Sequence, residues 1–373
     1  MKKMTLILLF AVMVSACAPA VAPTATPIPP TAVPTQTPVP PTAVPTQDPK
    51  ALAAEIDALV QENYQNGLYD GAVLVARDGQ VILSQGYGFA DREKEIPNTP
   101  QTKFQIASIT KQFTAMAILL LQEQGKLNVE DSICNYIDDC PEIFEPVKIR
   151  HLLSQSAGIP NTTAYSVPGD QMVSKFATLF FPPGEQFKYQ DKTYNLAGRI
   201  IETVSGQSYA SFLKQNIFEP LEMSNSGVDY RKQTELAMGY ASAEGDIALQ
   251  PIYVFAEGSV YSTVEDMYRW DQALYTDKLL PQSSLKAMFA PQVAVPDGEY
   301  YGFDGSTGWS YGFGWFIAPK ELGYVIHGGT YPGFRAEIRR YIDDETVIIL
   351  LTNQEAVALY PTAEAIAAEL FGK

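Results

Sequence analysis

The stretch Phe104-Gln-Ile-Ala-Ser-Ile-Thr-Lys-Gln-Phe-Thr-Ala-Met-Ala-Ile-Leu-Leu-Leu121 decides how this 373-residue chain is read. It sets a hydroxyl, Ser108, three residues before an amine, Lys111. Residues three apart share a helix face, so a helix beginning at Ser108 lets the Lys111 amine reach back to the Ser108 oxygen. That is the spacing of a nucleophile and its base. A lysine serves as base only when partly neutral, which desolvation by Ile106, Phe113 and Met116 would favour. The spacing recurs at Ser211/Lys214 and Ser283/Lys286. Ser211, between Tyr209 and Phe212-Leu213, reads as part of a helix packing an apolar face. Ser283 comes after Pro281 and reads as the N-cap of a short helix.

Two further stretches raise the first pair above coincidence: Phe187-Lys-Tyr-Gln-Asp-Lys-Thr-Tyr194 and His327-Gly-Gly-Thr330. With Ser108-Ile-Thr-Lys111 they fall in the order Ser-x-x-Lys, Tyr-x-Asp, His-x-Gly. Here the chain resembles the penicillin-recognising serine hydrolases, meaning class C β-lactamases, serine DD-peptidases and the esterases that share their fold. Flanking phrases match as well, among them Leu152-Leu-Ser-Gln-Ser-Ala-Gly158, Asn195-Leu-Ala-Gly-Arg-Ile-Ile-Glu202, Glu257-Gly-Ser-Val-Tyr-Ser-Thr-Val-Glu-Asp266 and Leu351-Thr-Asn353. The resemblance covers about residues 52 to 370.

The resemblance implies that Ser108 is the acylated nucleophile, Lys111 its proton partner, and Tyr189 the phenol that carries protons to the leaving group and activates the deacylating water. His327, Gly328 and Gly329 would lie on an edge strand beside the substrate. The backbone N–H groups of Ser108 and Thr330 would form the oxyanion hole, where each donor is worth roughly 10²–10³ in rate. Glycines at 328 and 329 would let backbone approach a ligand closely. Asp191 departs from the family, which has Asn at that position. It keeps an acceptor for a substrate amide, adds negative charge and removes a donor, which argues against a β-lactam with its own carboxylate as the best substrate. Lys192 is a candidate to offset that charge.

Each of these residues has a blander or rival reading. Tyr189, near Phe187 and Tyr194, would be a core tyrosine outside the motif frame. Of the two histidines, His151 sits in the apolar run Ile149-Arg-His-Leu-Leu153 and reads as structural. Gly308-Trp-Ser-Tyr-Gly312 has the Gly-x-Ser-x-Gly form of an α/β-hydrolase elbow, which needs a strand before it and a helix after it. The run Tyr311-Gly-Phe-Gly-Trp-Phe-Ile317, where that helix would have to start, reads as a strand instead. A non-catalytic sensor or wall-binding module that kept the fold is the alternative from another functional class, and the intact Ser108, Lys111 and Tyr189 argue against it.

Met1-Lys-Lys3, the short apolar run to Met13 and Val14-Ser-Ala-Cys17 resemble a bacterial lipoprotein signal, residues 1–16, with Cys17 as the lipidated residue. A plain secretory signal cleaved near Ala18 or Ala20 is the alternative. Residues 17–50 are rich in Pro and Thr, and Pro-Pro-Thr-Ala-Val-Pro-Thr-Gln occurs there twice. Such a segment favours an extended polyproline form and would stand the domain at 51–373 off a membrane. The expected location is extracytoplasmic, with a small-molecule or peptide substrate and a lipid anchor.

Cys134 and Cys140 could close a disulfide in an oxidising compartment. Two thiols without a nearby His make a zinc site improbable, so neither metal nor organic cofactor is expected. The net charge of −16 argues against a nucleic-acid partner, which needs clustered Lys and Arg. A monomer is expected.

Val73 to Leu83 reads as a hairpin turning at Asp78-Gly79. Further strands are expected at Gly312–Ile317, Tyr324–His327, Phe334–Tyr341 and Thr346–Leu351, then a helix at Ala356–Leu370. The family resemblance supplies the assembly, an α+β sandwich of the β-lactamase/transpeptidase-like kind. Its antiparallel sheet comes from both chain ends and is flanked by helices, with a mostly helical insertion at about 115–300.

Overall fold

In a computed structural model the described residues are 48–160, 178–228, 236–242, 245–248, 254–298 and 306–372. The expected signal, Cys17 and all but the last residues of the linker lie outside them. The chain divides into Met1–Thr46 and Gln47–Lys373, and the second unit carries every element named below.

The hairpin forms where expected. Strands Gly71–Arg77 and Gln80–Tyr87 are joined by Asp78 at φ +51° and Gly79 at φ +70°. Two successive left-handed residues match the right-handed twist of the flanking strands, which is why Asp-Gly suits this turn. Gly71–Arg77 also pairs antiparallel with Thr346–Thr352 along its whole length, so the two ends of the domain meet in the middle of one sheet. The sheet has eight strands, in the order Gln80–Tyr87, Gly71–Arg77, Thr346–Thr352, Phe334–Tyr341, Val325–Tyr331, Phe316–Ile317, Ser310–Tyr311 and Val293–Ala294.

Both faces of this sheet are covered. Alternate side chains point to opposite faces of a strand. Val73, Val75, Ile348 and Leu350 accordingly pack with Leu52, Ile56 and Val60 of helix Pro49–Gln65 and with Ala363, Ile366 and Leu370 of helix Leu359–Phe371. Ala72, Leu74, Ile349 and Leu351 face the other core, which contains Phe113, Met116, Met267 and Trp270. The neighbours Arg339 and Arg340 obey the same alternation. Arg340 is buried against Asp271 at 2.5 Å, while Arg339 pairs with Glu337 at 2.9 Å and with Glu364.

Between the two ends of the large sheet lie helices Thr110–Glu123, Asp191–Ser205, Tyr209–Leu213, Val264–Ala273 and Gln282–Phe289, with a small sheet of Phe104–Gln105, Val260–Ser262 and Gly227–Val228. Four expectations change. The strand expected at Tyr324–His327 runs from Val325 to Tyr331. The single strand at 312–317 is two short strands, because Gly314 turns the chain at φ +78°. The helix after Pro281 is capped at Pro281, since the Asp277 carboxylate accepts the Gln282 N–H at 2.7 Å and no serine cap is needed. The C-terminal helix begins at Leu359 rather than Ala356. The Cys134 and Cys140 sulfurs are bonded, with Cα atoms 5.3 Å apart. Among the described residues no helix is long and apolar enough to cross a membrane.

Candidate active site

Ser108 lies in a 3₁₀ turn, Ala107–Ile109, that leads directly into helix Thr110–Glu123. Every side chain from Thr110 through Leu121 is buried, so the turn stands on a post fixed from all sides. Ala107 holds φ +47°, a left-handed conformation costly for a residue with a Cβ. That bend sets the direction of the Ser108 side chain, and nothing in the local sequence announces it.

Lys111 reaches back as its spacing requires. Its Nζ donates to Ser108 Oγ at 3.0 Å, to Asp191 Oδ1 at 2.8 Å and to the Glu257 carbonyl at 3.0 Å. An ammonium has three N–H bonds and a neutral amine two. Three acceptors around one nitrogen are therefore the coordination of a charged lysine. Burial alone would lower the Lys111 pKa, but the Asp191 carboxylate and the Tyr189 phenol outweigh it, and the net displacement is upward. The expected partly neutral amine is corrected on this point: desolvation is present, and the Asp191 carboxylate and the Tyr189 phenol together override it.

Tyr189 immediately precedes helix Asp191–Ser205, with Gln190 as N-cap. Its ring lies 4.9 Å from Lys111 Nζ, and its phenol bonds toward Lys111 and Ser108. Burial raises its pKa and the Lys111 charge pulls it back. The segment is held by Gln155, whose carbonyl accepts the Lys188 N–H at 2.8 Å and whose Oε1 accepts the Gln190 N–H at 2.8 Å and the Thr193 hydroxyl at 3.1 Å. In the sequence Gln155 stands out only as part of the phrase at 152–158. Asp191 meets its counter-charge in Lys111 rather than in the expected Lys192. Glu257, to which the sequence assigns no role, turns its carbonyl on Lys111 while burial raises its own carboxyl pKa.

His327 is buried in strand Val325–Tyr331. Its Nδ1 lies 2.6 Å from the Gly328 carbonyl, and its Nε2 lies 3.0 Å from the Tyr311 hydroxyl. A carbonyl only accepts, so Nδ1 carries the proton and Nε2 accepts from Tyr311. Burial, with Lys111 adding to it, pushes the imidazole down to about 3. His327 is thus a neutral ring with both nitrogens engaged by the protein, and it offers no positive charge to a ligand.

Strand Val325–Tyr331 lies inside the sheet and is not the edge strand expected, but among the described residues no strand pairs with it beyond Ile326 on the side of Phe316–Ile317. Its partner Phe316–Ile317 pairs with Ile326 and Val325, and the Ala318 N–H donates to the Tyr324 carbonyl at 3.1 Å. In an antiparallel ladder the groups facing one neighbour alternate. Even-numbered residues therefore turn their N–H toward that side, including Thr330, which lies beyond the end of the partner strand. The turn that carries Ser108 abuts this strand: a Cβ at Gly329 would stand 2.1 Å from the Ile106 carbonyl and 3.2 Å from Ala107 Cβ. Gly329 is glycine because protein backbone, not ligand, presses on it, which corrects the sequence-based reason.

The other serines fare differently. Ser211 accepts a hydrogen bond from Ser208 Oγ and Lys214 faces Glu219 at 3.7 Å, while Ser310 is paired within short strands with no helix after it. His151 accepts the Lys148 N–H at 3.1 Å, a structural role.

Known proteins share this fold. The family model described as Beta-lactamase matches residues 52–371. The chain belongs to the β-lactamase family. Penicillin-binding protein 4* of Bacillus subtilis is 31% identical, over 82% of this chain and 73% of its own. The octameric penicillin-binding protein homologue from Pyrococcus abyssi superposes with a TM-score of 0.75 at 30% identity, over 86% of this chain and 77% of its own. A penicillin-binding protein from Bacillus halodurans gives 0.73 at 27%, over 85% and 99%. The chain is a serine hydrolase of this family, with its α+β, β-lactamase/transpeptidase-like fold.

Proposed function

We propose that this β-lactamase-family hydrolase cleaves an amide or ester through an acyl-enzyme on Ser108, outside the cytoplasm and anchored through Cys17. The observation that carries it is the convergence of Lys111, one turn along the helix, and Tyr189, from a distant part of the chain, on the Ser108 oxygen beside the strand that carries Thr330.

Ser108 Oγ adds to the substrate carbonyl carbon, whose oxygen is received by the N–H groups of Ser108 and Thr330. Lys111, as an ammonium, holds Oγ and offsets developing charge. The Ser108 proton passes to the Tyr189 oxygen as the phenol gives its own to the leaving nitrogen or oxygen. The C–N or C–O bond then breaks. Water repeats these steps on the acyl-enzyme, releasing the acid and restoring Ser108. D-alanyl peptides and small esters fit a site with a carboxylate at Asp191 and no cation at His327, and β-lactams fit it less well. All these residues come from one chain, which supports activity as a monomer; light scattering tests that.

Labelling by a fluorophosphonate at Ser108 is the test of the enzyme reading. Absence of a covalent adduct on the folded wild type would leave the sensor or wall-binding alternative standing. Labelled palmitate entering the wild type but not Cys17→Ala tests the anchor.

A further inference from the structure

Resting on that hydrolase reading, we propose that the site selects amides or esters whose acyl portion carries a free, unacylated amino group, received by the Asp191 carboxylate.

Asp191 has acceptor capacity to spare. Its Oδ1 is taken by Lys111 at 2.8 Å, and its other oxygen accepts no hydrogen bond among the described residues. The side chain is 44% exposed, while that of Lys111 is fully buried. Since Lys111 Nζ also holds Ser108 Oγ, a bare carboxylate oxygen opens beside the nucleophile with a single amine between them. A group bonded to the acyl carbon under attack would lie close to that oxygen.

Donor chemistry then separates substrates. An amide side chain at this position could both give and accept a hydrogen bond, and so could meet the carbonyl of an acylated nitrogen. A carboxylate accepts only. Facing Asp191, the carbonyl of an N-acyl group would set lone pair against lone pair, whereas an ammonium brings donors and a complementary charge. The surroundings do not oppose a cation. Lys111 and Asp191 neutralise one another, and His327 presents no charge because Tyr311 and the Gly328 carbonyl occupy both its nitrogens.

The test compares the p-nitroanilides of alanine and of N-acetylalanine, both enantiomers of each, on the full chain. It reads how far each compound slows fluorophosphonate labelling of Ser108, so that a ligand bound without turnover still reports. The free-amine compound of the preferred enantiomer should protect at a concentration at least tenfold lower than its N-acetyl counterpart. Asp191→Asn should shrink that ratio tenfold or invert it. Equal protection by the two, protection by neither, or a ratio unchanged in Asp191→Asn overturns the proposal. Loss of labelling at wild-type Ser108 would instead strike at the hydrolase reading beneath it.

Discussion

Lys111 and Asp191 form an ion pair 2.8 Å long in which the lysine is fully buried and the carboxylate is half exposed. The pair bears directly on the protonation of the amine nearest Ser108. Burial pushes the Lys111 pKa down, and Asp191 together with the Tyr189 phenol more than compensates. Asp191→Asn removes the carboxylate's share of the compensation and keeps the burial. The ammonium should then be lost at lower pH. The alkaline limb of Ser108 labelling against pH should move down by about one unit or more. Superimposable profiles for the two proteins would show that Asp191 does not hold the proton.

Gln155 offers a second test, because it holds the Tyr189 segment through Lys188, Gln190 and Thr193. Its Oε1 bridges the Gln190 N–H and the Thr193 hydroxyl, and its φ of +59° is one that Asn tolerates well. Gln155→Asn keeps the backbone and withdraws the oxygen by one methylene. Each buried hydrogen bond lost costs about 1–3 kcal/mol. Turnover should fall about tenfold or more with KM little changed, since misplacing a proton carrier harms the chemical step rather than binding. A change confined to KM would contradict this role.

The features legible in the sequence are those governed by local rules. The Asp78-Gly79 turn, the strands from 325 to 352 and the Ser108/Lys111 helix face all come from spacing and turn chemistry. The state of Lys111 does not, because its partners Asp191 and Glu257 arrive from distant parts of the chain and reverse the effect of the apolar neighbours. The reason for Gly329 is hidden in the same way, since the Ile106 carbonyl that excludes a Cβ belongs to another element. Tyr311 reads as the flank of an elbow motif and serves instead as the donor that fixes His327.

His327 makes a stability prediction. Its pKa is lowered from 6.5 to about 3 by burial, so the unfolded chain binds a proton that the folded one refuses. The folded state therefore has the full benefit of the neutral ring above pH 6.5 and loses it progressively as pH falls toward about 3. At about 1.4 kcal/mol per pH unit, the loss amounts to a few kcal/mol. Melting temperatures of wild type and His327→Gln, measured across this range, should converge as pH falls. Parallel curves would assign the acid sensitivity to other groups.

The sharpest comparison sets Ser108 against Ser310, because both sit in recognisable motifs and only one has a catalytic setting. Lys111 Nζ lies 3.0 Å from Ser108 Oγ, whereas Ser310 pairs through its backbone with Ala294 and Ile317. Ser108→Ala should abolish both labelling and turnover. Lys111→Ala should come close to it, because the residues act as one unit rather than additively. Tyr189→Phe keeps the ring over the Lys111 charge and removes only the hydroxyl, so turnover should fall about 10²-fold or more in a folded protein. An acyl-enzyme that outlives the wild-type one, visible by mass spectrometry, would accompany that fall if the phenol also activates water. Ser310→Ala should alter turnover by no more than a few-fold, since it removes one partly exposed hydroxyl from a short strand. If Ser310→Ala silences a folded protein and Ser108→Ala does not, the nucleophile has been placed on the wrong element, and the roles given to Lys111, Tyr189 and Asp191 fall with it.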